Sequence, residues 1–155
     1  MSGIRTLPEA LLDASRSSEG YVFIGRGVET RRSFAQIHHA SQRVARALNA
    51  LGLGRGDVVA LVIDDSERFL TTLFGASMAG VTPASLYPPS IVSDLQPYLD
   101  ATAVVLRSAR ARAVVTTARL VPAFEAARSA CPDLEVVSTP DVQRYSGCPG
   151  VLLSS

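Results

Sequence analysis

Asp64 and Asp65 form a carboxylate pair directly after the apolar run of residues 58–63. The C-terminal end of a strand is where α/β proteins place ligands, so the pair reads as a candidate site. The same two residues stand where a helix begins, and a helix N-terminus favours acids with no ligand present. The structural reading of Asp64 and Asp65 takes precedence. Gly25-Arg26-Gly27 and Ser146-Gly147-Cys148-Pro149-Gly150 both invite a phosphate-loop reading. The first lacks the remainder of a G-x-G-x-x-G and has no helix behind it, so it is read as a turn. In the second, Pro149 removes a backbone donor and no lysine follows. His38 and His39 are adjacent on a predicted helix. Neighbouring positions differ by about 100° around the axis, so the two imidazoles do not face one ion.

The remaining candidates are weaker. Arg107, Arg110 and Arg112 make a local basic cluster. It is read as a solvated helix end, favourable at the negative pole of the dipole, ahead of a phosphate site. Cys131 and Cys148 are too few for a disulfide framework or a zinc site. They lack a base in any motif context and are read as free thiols in a reducing cytoplasm. No G-x-S-x-G elbow supports a serine nucleophile. No residue is therefore assigned as catalytic, cofactor-binding or metal-ligating.

The elements around these residues follow from periodicity. Residues 58–63 are an unbroken apolar run rich in β-branched residues, the pattern of a strand buried on both faces. Ser66 is expected to cap the helix that follows. Phe69, Leu70, Leu73, Phe74 and Met78 recur at helical spacing, and Gly80 ends that helix. Residues 82–86 are a second strand, stopped by Tyr87-Pro88-Pro89. Upstream, a short helix over residues 7–14 with Pro8 in its first turn precedes a hairpin of residues 21–24 and 29–32. Ser33 and Gln36 spell a capping box for a helix striped by Ile37, Ala40, Val44, Leu48 and Leu51 and ended by Gly52. Downstream, a helix opens at a Ser93–Gln96 capping box, or a few residues later at Pro97. Leu99, Ala103 and Leu106 supply its inner face. Residues 113–117 and 134–137 are strands separated by a helix carrying Leu120, Phe124 and Ala127. The tally is a three-layer α/β domain with a mostly parallel sheet and an N-terminal β-hairpin. The hairpin is expected to make that sheet mixed.

Composition bounds the function. The 155 residues suit one domain, 47% hydrophobic and 19% charged. A formal net charge of +1 gives no case for nucleic acid. All 15 basic residues are arginine, with no lysine and no tryptophan. No run approaches the length of a membrane span, and the N-terminus lacks a signal-peptide core, so a cytoplasmic protein is expected.

The ordered series from Gly56 to Pro89 resembles an early segment of the adenylate-forming superfamily, the acyl-CoA synthetases and their relatives. Its parts are Gly56-Asp57, a hydrophobic strand, a helix, Ala79-Gly80 and a strand ending in proline. Residues 32–37 resemble the first core motif of that family. Leu86-Tyr87-Pro88-Pro89 narrows the resemblance to fatty acyl-AMP ligases, because acyl-CoA synthetases more often place asparagine-proline there. Asp64-Asp65 departs from the proline-asparagine usual in the family. The resemblance spans roughly Arg5 to Val137.

The resemblance implies a reaction in which a fatty acid carboxylate attacks the α-phosphate of ATP, giving acyl-adenylate and pyrophosphate, with Mg²⁺ holding the phosphates. That chemistry needs a hydroxyl- and glycine-rich loop of backbone donors and cations aimed at developing negative charge; the resemblance implies that a nearby lysine and a C-terminal domain with a catalytic lysine complete it. None of these is in this sequence, and ATP and Mg²⁺ are implied for the full-length parent only. The expectation is an N-terminal α/β subdomain over residues 1–137. Residues 138–155 are then a truncated connection toward the missing phosphate loop. Its partner is the remainder of the parent enzyme, and the isolated chain is inactive and self-associating, most simply as a homodimer. The alternative is a stand-alone, non-catalytic interaction or regulatory domain derived from the same fold. Reading the DNA downstream of Ser155 separates the two.

Overall fold

The computed structural model describes residues 6–25, 27–89 and 95–139. In order, α1 (Leu7–Ala14) precedes the hairpin β1 (Gly20–Gly25) and β2 (Val28–Ser33). Next come α2 (Phe34–Ala50), β3 (Val58–Val62), α3 (Ser66–Met78) and β4 (Thr82–Ser85). The chain continues through α4 (Gln96–Ser108), β5 (Ala111–Thr116), α5 (Val121–Ala127) and β6 (Glu135–Ser138).

Four strands form one sheet in the order β4-β3-β5-β6, and every pairing in it is parallel. Successive β3 residues point to opposite faces, and both faces are covered. Val59 and Leu61 pack with Val44, Leu48 and Ala76 of α2 and α3. Ala60 and Val62 pack with Leu99, Leu106 and Phe124 of α4 and α5. This is the three-layer arrangement that the strand–helix alternation predicts.

The hairpin corrects one expectation. β1 and β2 pair with each other as a separate two-stranded antiparallel sheet, so among the described residues the main sheet is not mixed. The reason is where its aromatic side chains go. Tyr21 and Phe23 pack with Leu11, Ile37 and Phe74 from three helices instead of extending the parallel core. Tyr21 meets Phe34 edge to face, with ring centroids 5.1 Å apart.

Local signals set most element ends. Ser33 Oγ accepts from the Gln36 N–H at 3.2 Å, and the Ser33 N–H donates back to Gln36 Oε1 at 2.9 Å. Gly80 takes φ 77 after α3, the left-handed geometry that closes a helix. The α3 cap differs from expectation by one residue. Asp65, not Ser66, caps it, with Oδ1 accepting from the Arg68 N–H at 2.8 Å. A carboxylate there also answers the positive helix pole, which a neutral hydroxyl does less well. Helix α4 starts at Gln96 with Pro97 in its first turn and no side-chain cap, so the later of the two expected starts holds. Ser93 lies outside the described residues. Gln96 Nε2 donates to Asp100 Oδ1 at 2.8 Å. Tyr98 Oη donates to the Tyr87 carbonyl at 2.9 Å and anchors the segment after β4 to α4.

Helices α2 and α3 approach closely. A Cβ at Gly75 would sit 2.5 Å from Val44 Cβ and 2.8 Å from the Ser41 carbonyl oxygen. Only glycine fits this crossing without displacement, and it permits the close approach of α2 and α3.

Candidate functional site

The C-terminal rim of the parallel sheet carries the Asp64–Asp65 pair that sequence reasoning singled out. A cleft of 440 Å³ opens there between the hairpin and the start of α3. Phe23, Ile24 and Val28 line one side, and Asp64, Asp65 and Glu67 the other. Three carboxylates in one cleft suggest acid–base or cation chemistry, but each is already engaged. Asp64 Oδ2 accepts from Arg119 Nη2 at 2.6 Å. Asp65 caps α3. Glu67 Oε1 accepts from Arg32 Nε at 2.6 Å. Asp65 thus serves the fold in the way the helix-terminus argument predicts, whereas Asp64 is engaged by an arginine from the loop after β5.

The rim also holds hydroxyls. Thr116 Oγ1 donates to the Val62 carbonyl at 2.9 Å, crossing from β5 to β3 inside the sheet. Thr117 and Thr139, directly after β5 and β6, are buried, and their hydroxyls have no partner among the described residues. A strand end with buried, unsatisfied hydroxyls is suited to receive further polypeptide or ligand.

The other sequence candidates separate. Gly27 takes φ 77, as a hairpin turn requires, and the element that follows it in sequence is β2 and not a helix. The rings of His38 and His39 lie with centroids 5.9 Å apart and planes inclined at 70°. Burial, and to a lesser degree the neighbouring His39, lowers the His38 pKa below its ordinary value. Among the described residues no three His, Cys, Asp or Glu side chains gather as a metal set. The three arginines of the basic cluster diverge. Arg107 Nη1 donates to the Ala130 carbonyl at 3.4 Å, and Arg110 takes a left-handed φ of 51 after α4. Arg112 donates to Asp57 Oδ2 at 3.0 Å and to the Gly52 carbonyl at 3.3 Å. The Gly54 N–H, then Arg112, hold the Asp57 carboxyl below its ordinary pKa. Cys131 is a half-buried free thiol with Sγ 3.9 Å from the Ala103 carbonyl oxygen. Cys148 and the segment from Ser146 to Gly150 lie outside the described residues.

Sequence reasoning missed both ion pairs of the rim. Arg119 is 55 positions from Asp64, and Arg32 is 35 from Glu67. The signal that could have found the first is topological. Both residues follow the C-terminal ends of adjacent parallel strands, and that adjacency is not visible before β5 is placed beside β3.

Four parallel strands between two helical layers, with a hairpin set apart on a helical cluster, define the N-terminal α/β subdomain of the adenylate-forming fold. A solved structure from a study of fatty acyl-adenylate ligases of E. coli and L. pneumophila superposes with a TM-score of 0.85. It is 26% identical, covering 97% of this chain and 28% of that one. The chain belongs to the AMP-binding enzyme family, whose profile matches residues 13–149. It is 31% identical to the mitochondrial acyl-coenzyme A synthetase ACSM1 of Mus musculus, covering 72% of this chain and 18% of that protein. It is 42% identical to the fatty acid–[acyl-carrier-protein] ligase ScoC of Streptomyces coeruleorubidus, covering 31% of this chain and 9% of that protein. The chain therefore spans less than a third of the length of each of these three proteins.

Proposed function

We propose that this chain is the N-terminal subdomain of an ATP-dependent ligase that activates a fatty acid as its acyl-adenylate, of the fatty acyl-AMP ligase or long-chain fatty acid–CoA ligase type. The observation that carries this reading is the likeness to the fatty acyl-adenylate ligase structure, sustained over 97% of the chain. The Leu86-Tyr87-Pro88-Pro89 ending supports the same branch. In this reading residues 1–137 are the subdomain and residues 138–155 lead toward the phosphate loop of a longer, cytoplasmic enzyme. No helix among the described residues is long and apolar enough to cross a membrane.

The described residues do not fit ATP and Mg²⁺ by themselves. The rim cleft presents Asp64, Asp65 and Glu67 to any phosphate, and Arg119 and Arg32 are held by two of those carboxylates. No lysine is present to meet developing negative charge. The contribution of this chain is a rigid sheet whose C-terminal rim, with the Thr117 and Thr139 hydroxyls, faces the rest of the enzyme. One wall of the acyl pocket is the role such a rim suits.

The test has two arms. The 155-residue chain with ATP, Mg²⁺ and dodecanoate is expected to release no pyrophosphate above a protein-free control. The protein read through the gene beyond Ser155 is expected to form dodecanoyl-adenylate. Pyrophosphate release by the chain alone refutes the scaffolding role. Absence of acyl-adenylate from the longer, folded protein with any fatty acid refutes the assignment.

A further inference from the structure

We draw no further inference here: the strongest candidate, the shallow apolar groove between α1 and α2 lined by Pro8, Leu12, Ala45 and Met78, sets Glu9 against Arg46, and nothing in the structure shows what covers it.

Discussion

Arg119 Nη2 lies 2.6 Å from Asp64 Oδ2 and so ties the loop after β5 to the end of β3. The pair is short but wet, with side-chain exposures of 52% and 40%. Solvent screening leaves such a bridge a small net contribution, about 0.2–1 kcal/mol. Arg119→Ala and Asp64→Ala are each expected to lower stability by no more than about 1 kcal/mol in urea titration. A loss several times larger would show that the rim depends on this contact and that Asp64 is more than a surface partner.

Gly75 carries a larger expectation. Gly75→Ala gains about 1 kcal/mol of helix propensity. The new methyl meets Val44 Cβ and the Ser41 carbonyl, neither of which is the free end of a flexible chain. Overpacking of this kind costs about 1–3 kcal/mol, so the net change is destabilising. Val44→Ala should partly rescue Gly75→Ala, giving a favourable coupling in a double-mutant cycle. Stabilisation by Gly75→Ala alone would show that α2 and α3 separate easily.

Two pH windows follow from His38 and Asp57. Burial and His39 lower the His38 pKa from 6.5, so the unfolded chain binds this proton more readily than the fold does. Stability should fall as pH drops below about 6.5, until the folded form also protonates. His38→Gln should flatten that slope, with Glu9 and Arg46, which line one shallow apolar groove together with His38, left in place. Asp57 has the same sign of linkage, in a window at lower pH. Its pKa is lowered from 3.8, so its contribution is present above that value and is lost as pH falls through the folded pKa. Asp57→Asn should remove the acid-side loss and leave the His38 window unchanged. Urea midpoints measured from pH 3 to 8 check that both windows lose stability as pH falls.

Association is expected at the hairpin. Val22 and Ile24 share its outer face and are 49% and 76% exposed. Strands β1 and β2 pair only with each other among the described residues, so both outer edges are open as well. Exposed apolar strands of this kind recruit a second copy, most simply through a two-fold axis. Sedimentation of the chain should show a dimer that Ile24→Glu returns to monomer. A monomer at high concentration, or a dimer indifferent to Ile24→Glu, rules this surface out.

How much was legible depended on how local the cause was. The apolar run of β3, the Ser33–Gln36 box and the glycine after α3 act within a few residues, and each appears where sequence places it. The Thr6–Glu9 box follows the same rule and was missed because Pro8 had already explained the start of α1. The Asp65 cap was misplaced by one position because Asp65 and Ser66 both have side chains able to cap. The sheet the hairpin joins could not be read, since Tyr21 and Phe23 choose partners on α1, α2 and α3 at a distance in sequence. The rim ion pairs likewise exist only after strands distant in sequence are adjacent.

The strand order β4-β3-β5-β6 bears on how the chain is made. Domains fold from the N-terminal side as they leave the ribosome. β3 emerges first, β4 joins one flank, and β5 and then β6 add to the other. No strand has to be inserted between two that are already paired. The nascent sheet thus grows outward only, and each newly made strand finds its docking edge already waiting.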